Sequence, residues 1–208
     1  MSDFTTPQES FWAGEFGDTY TDRNDGPRWI ASNLSLFSRI LTRTSRVGSV
    51  LELGANRGLN LQALNQLLPE AAFSAVEINE KAVQELRKFE WLEVQHASIL
   101  DFKPVTKSEL VFIKGVMIHL NPEVLPQVYQ LMQDASARYI CIIEYYNPSP
   151  VTVPYRGHTD RLFKRDFAGE MMRAHPGLKL VDYGFVYHGD LNFPQDDLTW
   201  FLLEKTNA

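Results

Sequence analysis

The sequence runs to 208 residues, of which 44% are hydrophobic and 22% charged, the make-up of one globular domain rather than of a disordered or fibrous chain. Its formal net charge of -6 gives the surface as a whole no attraction for phosphates, which weighs against a nucleic-acid partner while leaving room for a local basic patch. No apolar run is long enough to cross a bilayer, and a chain of this length buries a core without a disulfide or metal staple.

The first residues, Met1-Ser2-Asp3-Phe4, carry no basic stretch ahead of an apolar one. A secretory signal is therefore not expected, and the cytoplasm is the expected location. Phe11-Trp12 either anchors an N-terminal arm or covers an acceptor site. Residues 27–44 place Trp29, Ile30, Leu34, Phe37, Ile40 and Leu41 along a leading helix. Residues 1–46 are expected to form an arm and leading helix that cover the site of a sheet domain, residues 47–208, the whole being one structural domain.

From Val47 onward, short apolar runs alternate with amphipathic stretches, the pattern of a βα series with a parallel sheet. Strands are expected at residues 47–53, 73–78, 92–96, 110–113 and 139–144. Helices are expected at residues 59–68, 80–89, from Asn121-Pro122 to about residue 135, and at 166–175. Asn121 followed by proline is a cap with proline at the first helical position. Cys141, the single cysteine, sits in the apolar run from Tyr139 to Ile143 and reads as a packed small hydrophobe in a reducing compartment. Residues 180–187 and 198–204 read as two strands whose connection is too short for a crossover helix, so they must be antiparallel. The result is a mostly parallel seven-stranded α/β sheet with helices on both faces, ending in an antiparallel pair. Dehydrogenase-type nucleotide folds usually lack that tail; Rossmann-like methyltransferases commonly have it.

The first strand runs into Glu52-Leu53-Gly54-Ala55-Asn56-Arg57-Gly58. Glycine at such a turn allows close backbone approach and positive φ, and asparagine is the residue that best tolerates the same region. A second acidic residue, Glu77, ends the next strand roughly twenty residues on, the spacing at which a carboxylate meets ribose hydroxyls. A dinucleotide wants G-x-G-x-x-G for its pyrophosphate, and here the third glycine is missing while Asn56 and Arg57 fill the middle. S-adenosylmethionine, a sulfonium cation without phosphate, is complemented by carboxylates and asks less of the backbone. The pattern favours it over NAD, against the plain alternative of a structural turn.

The loop resembles the first motif of class I methyltransferases, over roughly residues 47–205. With Phe11 to Asp18, Gly115 to Pro122, Tyr155-Arg156-Gly157-His158 and Phe163 to Glu170, the chain is similar to the family of pseudaminic acid biosynthesis-associated methylases. The resemblance implies that Glu52, Gly54, Asn56 and Gly58 line the methionine and ribose part of S-adenosylmethionine. It puts Glu77 on the ribose, Ile78 against the adenine, and Ser98 and Ile99 where relatives often have an aspartate for the adenine amino group. Lys114 and Val116 would pass beneath the methionine end, with Tyr20, Arg23 and Asn24 as lid residues. The family's context implies a small, anionic, sugar-related acceptor. Another small molecule, a protein or tRNA, and a non-catalytic S-adenosylmethionine-binding protein are the alternatives.

Methyl transfer asks for alignment and water exclusion, plus a base where the acceptor carries a proton. His119, at the carboxyl edge after the fourth strand, and His158, in a polar loop, are equal candidates for that base, and Tyr146 is a third catalytic candidate. No metal is expected. Tyr145, Asn147 and Tyr155 are candidates to shape the acceptor pocket. Arg156, Lys164 and Arg165, with Arg161, form the densest positive cluster of the chain, suited to an acidic group or simply to a solvated face. His96, His175 and His188 read as structural or exposed, and the oligomeric state is left open.

Overall fold

The structure is a computed structural model and describes residues 4–23, 26–157 and 161–206. It opens with a capping box: the Thr6 hydroxyl accepts the Glu9 N–H, and the Glu9 carboxylate accepts the Thr6 N–H, so two orphan donors of the helix end are satisfied reciprocally. Pro7 follows at the first helical position. Helix α1 (Pro7–Ala13) stops at Gly14, α2 (Glu15–Arg23) follows at once, and α3 (Pro27–Leu41) leads into the sheet. The arm expected before Pro27 is therefore two helices. They are too short to display a helical period in the sequence, and tertiary packing rather than propensity holds such pieces.

The sheet and its crossovers then come in order: β1 (Ser49–Leu53), α4 (Leu59–Leu67), β2 (Ala72–Glu77), α5 (Glu80–Leu86), β3 (Leu92–His96) and β4 (Ser108–Lys114). After a 3-10 turn at Met117–His119 and another at Pro122–Val124 come α6 (Leu125–Ala135), β5 (Ser136–Glu144), the short strands β6 (Val151–Thr152) and β7 (Phe163–Lys164), α7 (Phe167–Ala174), β8 (Leu178–Val186) and β9 (Leu198–Lys205). Asn121 caps as expected, its side chain accepting the Glu123 N–H. The α-helix proper starts only at Leu125, because Pro126 has no N–H to bond back four residues and fits only the first turn. The antiparallel hairpin of β6 and β7 was not foreseen; two-residue strands leave no alternation to read.

The strand order is β3-β2-β1-β4-β5-β9-β8. β1 to β5 are parallel, and β9 lies antiparallel between β5 and β8, which returns β8 to the common direction. The expected seven-stranded sheet with its antiparallel C-terminal pair is the observed one. Alternation along each strand sends Leu51, Leu53, Val111, Ile113, Ile140 and Ile142 to a core under α6 and α7. Val50, Leu110, Phe112, Cys141 and Ile143 face α3, α4 and α5. The Cys141 thiol is fully buried and burial pushes its pKa up. Among the described residues no helix is long and apolar enough to cross a membrane.

Candidate functional site

The chain leaves β1 on one side, builds β2 and β3, and returns to place β4 on the other side of β1. Ligands of open α/β sheets bind at the carboxyl ends of the strands beside such a reversal. A cavity of about 480 Å³ lies there, under α1 and α2. β3 is the edge strand, so Ser98 and Ile99 mark one end of the cavity and Tyr145, after β5, marks the other.

The turn after β1 is drawn onto β2. Gly54 N–H and Ala55 N–H both reach Val76 O, at 2.8 and 3.3 Å. Asn56 adopts φ 46°, and its N–H donates to Glu77 Oε2 at 2.7 Å. Glu77 Oε1 accepts the Asn79 N–H at 2.7 Å. Burial raises the Glu77 pKa while these backbone donors pull it down. Gly54 has φ 78°, and a Cβ there would lie 2.6 Å from Val116 Cγ2, so the turn and the loop after β4 meet at a point where only glycine fits.

Beneath the cavity runs a polar chain. Asn60 Nδ2 donates to Glu52 Oε1 at 2.6 Å, Lys114 Nζ donates to Asn60 Oδ1 at 3.2 Å and to Asn33 Oδ1 at 2.9 Å, and Gln195 Nε2 donates to Asn33 Oδ1 at 3.0 Å. Burial pushes the Glu52 carboxyl up and the Lys114 ammonium down, each opposed by the other's charge. Under the loop after β4, Glu144 Oε1 accepts the N–H groups of Val116 and Met117, both at 2.9 Å; burial lifts its pKa to about 7 against those bonds.

The other end is aromatic. The His119 ring lies between Trp12, at 4.8 Å, and Tyr155, at 5.0 Å, and Tyr20 stands edge-on to Trp12 at 5.2 Å. His119 Nδ1 lies 2.6 Å from Arg161 O, so Nδ1 carries the proton and donates it, leaving the lone pair on Nε2. Burial lowers the His119 pKa to about 4. Tyr145 is held up to about 12, by burial first and then by Asp196, Tyr20 and Tyr155 nearby.

Of the residues singled out in the sequence, Tyr20, Gly54, Asn56, Glu77, Ile78, Ser98, Ile99, Lys114, Val116, His119, Tyr145, Tyr155 and Arg156 line this one cavity. Others do not. Glu52 is 0% exposed and meets the cavity lining through its hydrogen bond from Asn60. Gly58, at φ 74°, caps α4 and makes room for Leu86, whose Cδ2 would sit 2.7 Å from a Cβ. Tyr146 turns outward, 43% exposed, against Phe201. Asn147 Nδ2 donates to Ser149 O in its own turn. Lys164 Nζ stands over the Tyr145 ring, 4.6 Å from its centroid. Arg165 pairs with Glu170 at 2.7 Å, and Glu170 holds the Tyr129 hydroxyl at 2.8 Å. Asn24, His158 and the side chain of Arg23 lie outside the described residues.

Sequence reasoning missed Glu9, Asn33, Asn60, Glu144, Gln195 and Asp196. Thr6-Pro7-Gln8-Glu9 does carry the capping-box signature that would have placed Glu9 on a helix. The others are single polar residues in helices, strands and loops with no local pattern. Among the described residues no three His, Cys, Asp or Glu side chains are grouped to hold a metal ion.

This topology defines the class I, Rossmann-like methyltransferase fold, and solved structures similar to the chain include several with that fold. The Burkholderia thailandensis 1,6-didemethyltoxoflavin-N1-methyltransferase, solved with 1,6-didemethyltoxoflavin and S-adenosylhomocysteine, matches with a TM-score of 0.70. Its identity is 14%, over 100% of this chain and 93% of that one. Streptomyces venezuelae DesVI matches at 0.65 with 14% identity, over 91% and 98%. The glycopeptide N-methyltransferase MtfA, solved with S-adenosyl-L-methionine, matches at 0.62 with 15% identity, over 83% and 94%. At these identities the likeness is one of fold. Neither a family model nor a curated protein matches the sequence.

Proposed function

We propose that the protein is an S-adenosylmethionine-dependent methyltransferase acting on a small, anionic, sugar-related acceptor of the nonulosonic-acid kind. The observation that carries the cofactor is the state of the turn after β1. Its N–H groups at Gly54, Ala55, Asn56 and Gly58 are all bonded within the protein, one of them to the Glu77 carboxylate. A pyrophosphate needs open N–H groups at such a turn and would be repelled by that carboxylate. A ligand with a ribose diol and no phosphate suits it. Trp12 Nε1 and Asn56 Oδ1, on residues lining the cavity, are buried without a hydrogen-bond partner among the described residues, and a polar ligand would satisfy them.

In this reading Glu77 takes the ribose, Ile78 and Ile99 the adenine, and Gly54, Lys114 and Val116 the amino-acid end, with Tyr20 and Arg23 as lid. Residues 1–46 act as the cover of the sheet domain that follows. The cofactor supplies a methyl group on a positively charged sulfur that leaves without protonation. The chain's own work is positioning and water exclusion. Trp12, Tyr145 and Tyr155 wall the acceptor. His119 is neutral at pH 7 and offers Nε2 to the acceptor O–H or N–H, whose proton it takes as the new bond to carbon forms.

The acidic acceptor rests on the family resemblance and on Arg156, the member of the basic cluster predicted for the substrate that lines the cavity. Asp196, which also lines the cavity, favours an acceptor that carries an amino group as well. Titration calorimetry with S-adenosylhomocysteine and with NAD tests the cofactor, and binding of NAD alone overturns the proposal. Incubation with S-adenosylmethionine and acidic amino sugars, free and nucleotide-linked, followed by mass spectrometry, tests the acceptor. The expected product carries one more methyl group, and none from any acidic sugar removes the acceptor class.

A further inference from the structure

Glu9 lies on α1, outside the sheet and away from the loop after β1, yet it lines the β3 end of the cavity and is 4% exposed. A buried carboxylate has about four acceptor positions to fill. Thr6 fills two on Oε2, with its N–H at 2.8 Å and its hydroxyl at 3.0 Å. The Ser98 hydroxyl donates to Oε1 and in turn accepts the Leu100 N–H at 3.1 Å. One position on Oε1 remains among the described residues. The capping box thus fixes the carboxylate from one side and Ser98 fixes it from the other, with an acceptor position to spare at the cavity wall.

Ile78 and Ile99 put apolar surface beside it, whereas the charged groups Lys114 and Asp196 stand towards the other end, Asp196 acting on both Lys114 and Tyr145. A flat base belongs with the former and a zwitterionic amino-acid tail with the latter. We propose that Glu9 accepts a hydrogen from the exocyclic amino group of the adenine ring, so that base selectivity comes from the N-terminal helix, with Ser98 as the residue that positions it. The inference rests on the reading that S-adenosylmethionine occupies this cavity. Its consequence is discrimination between a 6-amino and a 6-oxo purine. Hypoxanthine presents a carbonyl where adenine presents a donor, and a site built for a donor rejects the analogue strongly.

The test compares binding of S-adenosyl-L-homocysteine and S-inosyl-L-homocysteine by calorimetry. The wild-type protein should prefer the adenosyl ligand by about 100-fold or more. In Glu9→Gln the amide can still serve the capping box but can turn its NH2 towards a carbonyl, and the preference should fall to within about fivefold. Ser98→Ala should give an intermediate ratio. A purely structural role for Glu9 would weaken both ligands alike and leave the ratio intact. An unchanged ratio in a Glu9→Gln protein with normal melting overturns this inference alone. Failure of the wild type to bind the adenosyl ligand overturns the cofactor reading beneath it and this inference with it.

Discussion

The two ends of the cavity are built from different materials. At the ends of β1 and β2 the ligand-facing geometry is backbone geometry, set by Gly54 and Asn56 in left-handed conformations and by the Glu77 carboxylate bridging two N–H groups. At the β5 end it is side-chain geometry: Trp12 from α1, Tyr20 from α2, His119 from the turn after β4, Tyr155 from the loop of the β6–β7 hairpin. A backbone mount with few degrees of freedom suits a ligand that is always the same. A wall of rings on separate elements can be re-cut for different acceptors while the mount stays as it is.

The sharpest way to break that contrast is to remove the mount. Glu77→Ala deletes two hydrogen bonds to a buried carboxylate and leaves the N–H groups of Asn56 and Asn79 without their acceptor. At about 1.5–3 kcal/mol per bond to a charged group, stability should fall by about 3 kcal/mol or more. Affinity for S-adenosylhomocysteine should drop at least about 100-fold. Chemical denaturation and calorimetry read the two losses. Binding within a few-fold of wild type would show that the turn holds its shape without Glu77.

His119 tests the other end through pH. Its folded pKa of about 4 lies below the ordinary value of 6.5, so between these the unfolded chain binds more protons, and stability falls as pH drops through that window. The shift corresponds to about 3 kcal/mol in full. Glu144 has the opposite sign: its pKa is raised to about 7, so its cost to the fold appears as pH rises above the ordinary carboxylate range. The two partly offset each other in the wild type. In His119→Gln the acid-side loss should disappear, leaving the slope of the raised carboxyls Glu144, Glu52 and Glu77, which share one sign, with stability rising as pH is lowered from 7 to about 5. The same acid limb in wild type and variant would mean that His119 is not buried neutral.

What the sequence revealed follows the same division. The βα alternation, the switch-point loop and the antiparallel tail were legible because each is a local periodicity or a short turn whose residues are adjacent in the chain. Asn56 could be read as left-handed from its chemistry alone, and φ 46° agrees. Glu52 and Gly58 belong to the same motif, yet one sits under the cavity and the other packs against Leu86; spacing says which residues are in the turn, not which way each side chain points. The basic cluster was the least legible. Four cations close in sequence look like one patch, but alternation and turning send Lys164 over a tyrosine ring, Arg161 over Phe11 and Arg165 to Glu170. The polar chain through Asn33, Asn60, Lys114 and Gln195 joins elements 162 residues apart, and no local signal encodes such a chain.

That dispersal makes Arg156 the member of the cluster on which to test acceptor charge. Arg156→Ala should raise the acceptor Michaelis constant about tenfold, as the loss of one charge-assisted contact at a partly exposed site, while S-adenosylhomocysteine affinity stays within about twofold. An unchanged constant for an acidic acceptor would place specificity with the aromatic wall instead.

The smallest effect is expected at Arg165, and it separates a cation near the site in sequence from one near it in space. Its guanidinium meets Glu170 with both side chains about four-fifths buried, and Glu170 in turn accepts the Tyr129 hydroxyl between α6 and α7. Arg165→Ala leaves Glu170 with one partner instead of two, in a place water still reaches. The expected cost is about 1 kcal/mol of stability, between that of an exposed pair and that of a fully buried one. Because Arg165 holds the Glu170 carboxylate that ties α7 to Tyr129 of α6 and does not line the cavity, the acceptor Michaelis constant and turnover of Arg165→Ala should match wild type when measured well below its melting temperature. A raised Michaelis constant at unchanged stability would return Arg165 to the acceptor site and undo the separation drawn between the two arginines.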